Sequence, residues 1–138
     1  MPDNRKRDLC KYRMDAAEET FEVAEECLKG AHYKDAINRS YYAVFYAVKA
    51  VLALEEKDFK RHKDVIAYFN QTYVAAGIFP KSLGRKLARL QQKREKSDYD
   101  DFYIASKDEA EEQLEYTKEL FEAIKKYLAG VGISQPGA

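Results

Sequence analysis

The chain has 138 residues, 46% hydrophobic and 35% charged, and its 24 lysines and arginines balance 24 acids. That length fits one domain with a substantial core that needs no metal or disulfide staple, and the composition is that of a helical globular protein with strongly charged outer faces. No apolar run is long enough to span a membrane and the N-terminal MPDNRKRDLCKYR lacks the apolar core of a signal peptide, so a cytoplasmic protein without membrane attachment is expected.

A first helix is predicted from about Asp8 to Lys29, with Leu9, Tyr12, Ala16, Ala17, Phe21, Ala24 and Leu28 inward and Gly30 as its stop. Its glutamates, from Glu18 to Glu26, make a solvated face. Cys10 and Cys27 lie on this helix roughly 25 Å apart by helical rise, too far to pair. Without CxxC spacing they read as structural thiols.

The second helix, from near Tyr33 to Leu54 or Glu55, follows after so short a connection that the two form an antiparallel hairpin. Ile37, Tyr41, Val44, Val48, Val51 and Leu52 form one apolar stripe, and the alanines around it leave few polar sides, which places this helix in the middle of a bundle. Only Asn38, Arg39, Ser40 and Lys49 interrupt it. Arg39, Tyr42 and Tyr46 fall near one another at helical spacing and make a polar-tipped strip.

The stretch Glu55–Lys63 has no apolar period and reads as a charged loop. A third helix is expected from about His62 to Ala76, with Val65, Ile66, Phe69, Tyr73 and Ala76 inward, ended by Gly77 and Pro80. In a fourth, from about Lys81 to Lys96, Leu83, Leu87 and Leu90 step by four and three, and the next inward position is Arg94. A guanidinium there needs a carboxylate, and Asp98, one turn on, can pair with it as a structural ion pair; the alternative is a phosphate site. Gly84 inside this helix marks a close backbone approach or a frayed first turn. Residues 97–105 read as a loop. Ser106 and Glu109 have capping-box spacing and open a fifth helix, in which Ala110, Leu114, Thr117, Phe121, Ile124 and Leu128 alternate steps of four and three.

From Lys57 to Lys96 there are eleven lysines and arginines against Asp58, Asp64 and Glu95, whereas from Asp98 to Glu122 ten acids face Lys107 and Lys118. Either the two segments complement each other within the bundle or across a dimer, or the basic one holds an anionic partner. No ExxH pair for a di-iron site exists, since Lys29 and Phe59 stand three before His32 and His62. There is also no GxSxG elbow and no phosphate-cradling glycine loop.

The helix RSYYAVFYAVKAVLAL, together with HKDVIAYFNQTYVAAGIFPKSLGRKLARLQQKREKSDYDDF and its RxxxDY ending at Arg94, Asp98 and Tyr99, resembles the HEPN superfamily over about residues 16–128. The family is named for higher eukaryotes and prokaryotes nucleotide-binding. The resemblance implies an all-α, antiparallel up-and-down bundle of four long helices plus one shorter helix, with residues 1–130 as a single HEPN-like domain; beyond it residues 131–138, VGISQPGA, read from their types as a flexible tail. The resemblance also implies a homodimer, a minimal nucleotidyltransferase partner in a toxin–antitoxin-like pair, and no metal or cofactor. Active relatives are metal-independent endoribonucleases with an arginine followed, after four to six residues, by a histidine. Here Arg39 holds the arginine position and Tyr46 the histidine position, and a tyrosine titrating near 10 is a poor acid or base at neutrality. RNA or nucleotide phosphate would then meet Arg39, Asn38, Tyr42, Arg61, His62, Arg85 and Arg89, and Tyr42 or Tyr46 would be acceptors of an adenylyl group from the partner. The alternatives are a non-catalytic interaction module with a degenerate motif, and an endoribonuclease that uses Arg39 with Tyr46 or with His62.

Overall fold

A computed structural model describes residues 4–133 and shows an all-α bundle of four long helices and one shorter one. Helix α1 spans Asn4–Lys29, α2 Tyr33–Ala53, α3 His62–Phe69, α4 Lys81–Tyr99 and α5 Lys107–Gly130; one π-helical turn, Asn70–Val74, continues α3. Helix α2 sits at the centre and touches every other helix. Its apolar character explains this, because Ile37, Tyr41, Val44, Val48 and Val51 have no exposed surface at all.

Along α1 the buried stripe is Cys10, Met14, Ala17, Ala24 and the half-buried Phe21 and Leu28. Leu9 and Tyr12, expected inward, are 40% and 72% exposed. The inward phase starts one residue later, because steps of four and three from Cys10 lead to Met14, Ala17, Phe21, Ala24 and Leu28 without a break. The α1–α2 turn closes with His32 N donating to Cys27 O at 2.8 Å around Ala31, whose φ of 63° is left-handed.

Helix α3 ends at Phe69, earlier than expected, and the chain widens into the π-turn, closed by Ala75 N donating to Asn70 O at 2.8 Å. The extra residue lets both Tyr73 and Val74 face inward and leaves Ala76 exposed. Opposite Val74 lies Gly84, where a Cβ would stand 3.0 Å from Val74 Cγ1; the glycine is a close approach. Helix α4 continues to Tyr99, through residues expected to be loop, because its stripe of Leu83, Leu87, Leu90 and Arg94 continues to the buried Ser97.

Ser106 caps α5 with the full capping box: its hydroxyl accepts from Glu109 N at 3.1 Å while the Glu109 carboxylate accepts from Ser106 N. Basic α4 lies along acidic α5, with Lys86 on Glu119 and Lys93 on Glu109, the latter at 2.7 Å. Beyond α5, Ile133 is buried and Gly132 O accepts from Arg7 at 3.2 Å. Of the tail expected at 131–138, residues 134–138 lie outside the described residues. Among the described residues no helix is long and apolar enough to cross a membrane.

Candidate phosphate site

Four residues of α2, Asn38, Tyr42, Phe45 and Lys49, recur at steps of four, three and four and therefore share one stripe. This stripe faces the start of α3 and the C-terminal half of α4. His62, the first residue of α3, stacks on Phe45 with ring centroids 4.1 Å apart and meets Tyr42 edge-on at 5.7 Å. From α4, the Arg94 guanidinium lies over the Tyr41 ring at 4.7 Å and within 5.8 Å of Tyr42. Lys49 completes the group with its ammonium 5.7 Å from the Phe45 ring centre and 3.6 Å from the Asp58 carboxylate, which also meets Arg13 at 3.5 Å.

Two cations and an imidazole thus converge on one aromatic wall, and π faces are good seats for cations that have left water. Arg94 is 9% exposed. Its Nη1 stands 3.5 Å from Asp98, and the Asn38 amide donates to both Asp98 oxygens at 3.3 and 3.4 Å. Arg94 Nε and the Tyr41 hydroxyl are buried without a hydrogen-bond partner among the described residues. Burial pushes the Tyr41 phenol up to about 12, against the opposing pull of Arg94, so it stays a neutral hydroxyl. The His62 imidazole is shifted down, first by burial and then by the positive charges of Arg94 and Lys49. The two charges thus add to the cost that burial already sets on protonating His62.

The other residues of interest fall around this centre or away from it. Arg39 is exposed, about 60° around α2 from Tyr42 and turned toward α1, where its charge acts on the Cys27 thiol. Tyr46 is half-buried, its ring tilted against Tyr42 and Phe45 at 6.3 and 6.2 Å. Arg61 is paired with Asp64 on its own helix at 3.0 Å. Arg85 and Arg89 are exposed, and nine and five residues from Arg94 put them roughly 180° and 140° around α4, facing away. Lys49 and Phe45 are the members that motif reasoning missed; their signal was the stripe counted from Asn38 rather than from Arg39. A groove of about 580 Å³ between Ile78, Phe79 and Tyr127 is mostly apolar and holds none of these groups.

Neither cysteine enters the site. Cys10 is buried in the core, where loss of water raises its thiol to about 11, and Cys27 is half-buried and raised by burial and by Asp35.

Comparison with known proteins places this geometry in context. The chain is 30% identical over 125 residues to a UPF0332 protein of Thermotoga maritima, covering 91% of this chain and 95% of the relative. It is also similar to two proteins of Methanocaldococcus jannaschii described as putative toxins. One is 30% identical over 93% of this chain and 86% of its own, the other 32% identical over 88% and 90%. The HEPN domain matches residues 10–127, which takes in most of every helix and the whole Arg94–His62–Lys49 cluster. The chain belongs to the HEPN family.

Proposed function

We propose that this HEPN domain binds the phosphate of RNA or of a nucleotide where Arg94, His62 and Lys49 converge on Tyr42 and Phe45, with Asn38 on the rim and Arg39 on the neighbouring face of α2. The observation that carries this reading is the convergence of the Arg94 guanidinium and the Lys49 ammonium on one aromatic wall around His62, two charges that a phosphate would neutralise. The domain acts as a homodimer and with a nucleotidyltransferase partner in a toxin–antitoxin-like pair. The two similar proteins described as putative toxins support that context. Of the tyrosines near the site, Tyr99 is 78% exposed beside Asp98, which makes it a more accessible acceptor for a modifying partner than the half-buried Tyr42 and Tyr46.

Fluorescence anisotropy with a labelled RNA in EDTA tests the reading. Arg39→Ala and Lys49→Ala should each weaken binding and flatten the salt dependence by about one unit of slope while leaving the helical fold intact. Affinities unchanged by both substitutions across a salt titration reject it.

A second reading, a metal-independent endoribonuclease, is favoured by one observation: an imidazole from α3 stands beside Arg94, although the motif position on α2 is Tyr46. The Arg94 charge would stabilise the developing phosphorane and His62 would carry the proton. Incubating the protein with mixed RNA in EDTA should then give cleavage that disappears in His62→Ala. Intact RNA with the unsubstituted protein leaves binding alone.

A further inference from the structure

We propose that Asp98 occupies the anion position on Arg94 in the free protein, and that the ligand that displaces it is a terminal phosphomonoester, as in a nucleoside monophosphate or an RNA end, in preference to an internal phosphodiester. This rests on the phosphate-binding reading above and narrows its ligand.

The hold on Asp98 is loose. Its contacts to Arg94 and Asn38 measure 3.5, 3.3 and 3.4 Å, against about 2.7–2.9 Å for a well-made charge-assisted bond. The Asp98 side chain is 32% exposed and lies in the last turn of α4, where the helix has one residue left to run. The guanidinium, by contrast, is pinned over Tyr41 and Tyr42. When an anion arrives, Asp98 can move and Arg94 cannot.

The identity of a successful competitor follows from charge. An internal phosphodiester brings one negative charge and two free oxygens, the same as the carboxylate it must displace. A phosphomonoester brings roughly −1.5 to −2 at neutral pH and three acceptor oxygens, enough to engage Arg94 and Asn38 together. The surroundings also suit a single phosphate. Arg85 and Arg89 face away and Arg61 is engaged with Asp64, so these cations form no track leading from Arg94 along a polynucleotide backbone.

The test is calorimetric titration of the whole protein in EDTA at low salt with AMP, with the dinucleotide ApA, which has a phosphodiester and no terminal phosphate, and with a 20-nucleotide RNA lacking terminal phosphates. AMP should bind about tenfold tighter than ApA, and Asp98→Asn should tighten both by a similar factor, because each must displace the same carboxylate. Equal binding of AMP and ApA, or an Asp98→Asn protein that binds both more weakly, overturns the proposal. A measurement on the unsubstituted protein guards against a misfolded variant: the Asn38 side-chain amide resonance should shift on adding AMP, as Asp98 leaves it, and a resonance that stays put while AMP binds overturns the proposal too. If the 20-nucleotide RNA binds and AMP does not, the phosphomonoester selection fails while the phosphate-binding reading stands; if none of the three binds, both fall.

Discussion

His62 joins fold and function in one side chain. Burial against Phe45 and the charges of Arg94 and Lys49 all disfavour its protonated form, so the unfolded chain takes up that proton more readily than the folded one. The stability this contributes is complete above the ordinary histidine range near 6.5 and is lost as pH falls through the lowered value in the fold. Urea denaturation should therefore give a lower midpoint at pH 5.5 than at pH 7.5, and His62→Gln should shrink that difference; an unaltered pH dependence in the variant would remove His62 as its source. A bound phosphodiester, which keeps its single charge over this range, reverses the sign locally, so RNA affinity measured by anisotropy should rise as the solution is acidified toward pH 6. Arg94 shows what sequence reveals at this scale. Its inward position follows from the leucine steps before it, but its seat on Tyr41 and Tyr42 comes from a helix more than fifty residues away in the chain, which no local spacing encodes.

At the scale of elements, helical period was enough to find all five helices, and it failed where the backbone departs from that period or where two phases compete. In α1 the larger side chains Leu9 and Tyr12 mark a phase next to the one in which the less conspicuous Cys10 and Met14 are buried. After Phe69 the chain inserts a residue, and no 3.6-residue pattern announces a π-turn. The glycine at 84 is the partner of that turn. Alanine there would gain up to ~1 kcal/mol of helix propensity, yet its Cβ would press on the stiff, β-branched Val74 at 3.0 Å. Gly84→Ala should consequently lower stability by about 1 kcal/mol alone and become neutral or stabilising in a Val74→Ala background. A double-mutant cycle by chemical denaturation measures that coupling, and additive effects would mean that the two residues do not press on each other.

For the molecule as a whole, a net charge of zero conceals two oppositely charged helices laid side by side. Lys86 on Glu119 and Lys93 on Glu109 show much of that segregation being satisfied inside the chain, which leaves the Arg94 cluster and its rim, rather than the length of α4, as the place for an anion. Glu109 is the centre of this pairing: it accepts from Lys93, from the Tyr103 hydroxyl and from its own cap, Ser106, and so ties the α4–α5 connection to both helices. These bonds, that from Lys93 foremost, hold its carboxyl down at about 2. A depressed carboxylate contributes its stability above the unfolded value near 4.3 and loses it as pH falls through the folded one, so this tie should persist through mild acid and fail between about pH 4 and pH 2. Glu109→Gln should cost about 1 kcal/mol at pH 7, the scale of a partly exposed pair, and the cost should vanish at pH 2, where the two proteins melt together. A variant that stays less stable by the same amount across that range would show that Glu109 acts through the shape of its capping contacts and not through its charge. The pairing of α4 with α5 would then rest on Lys86 and Glu119.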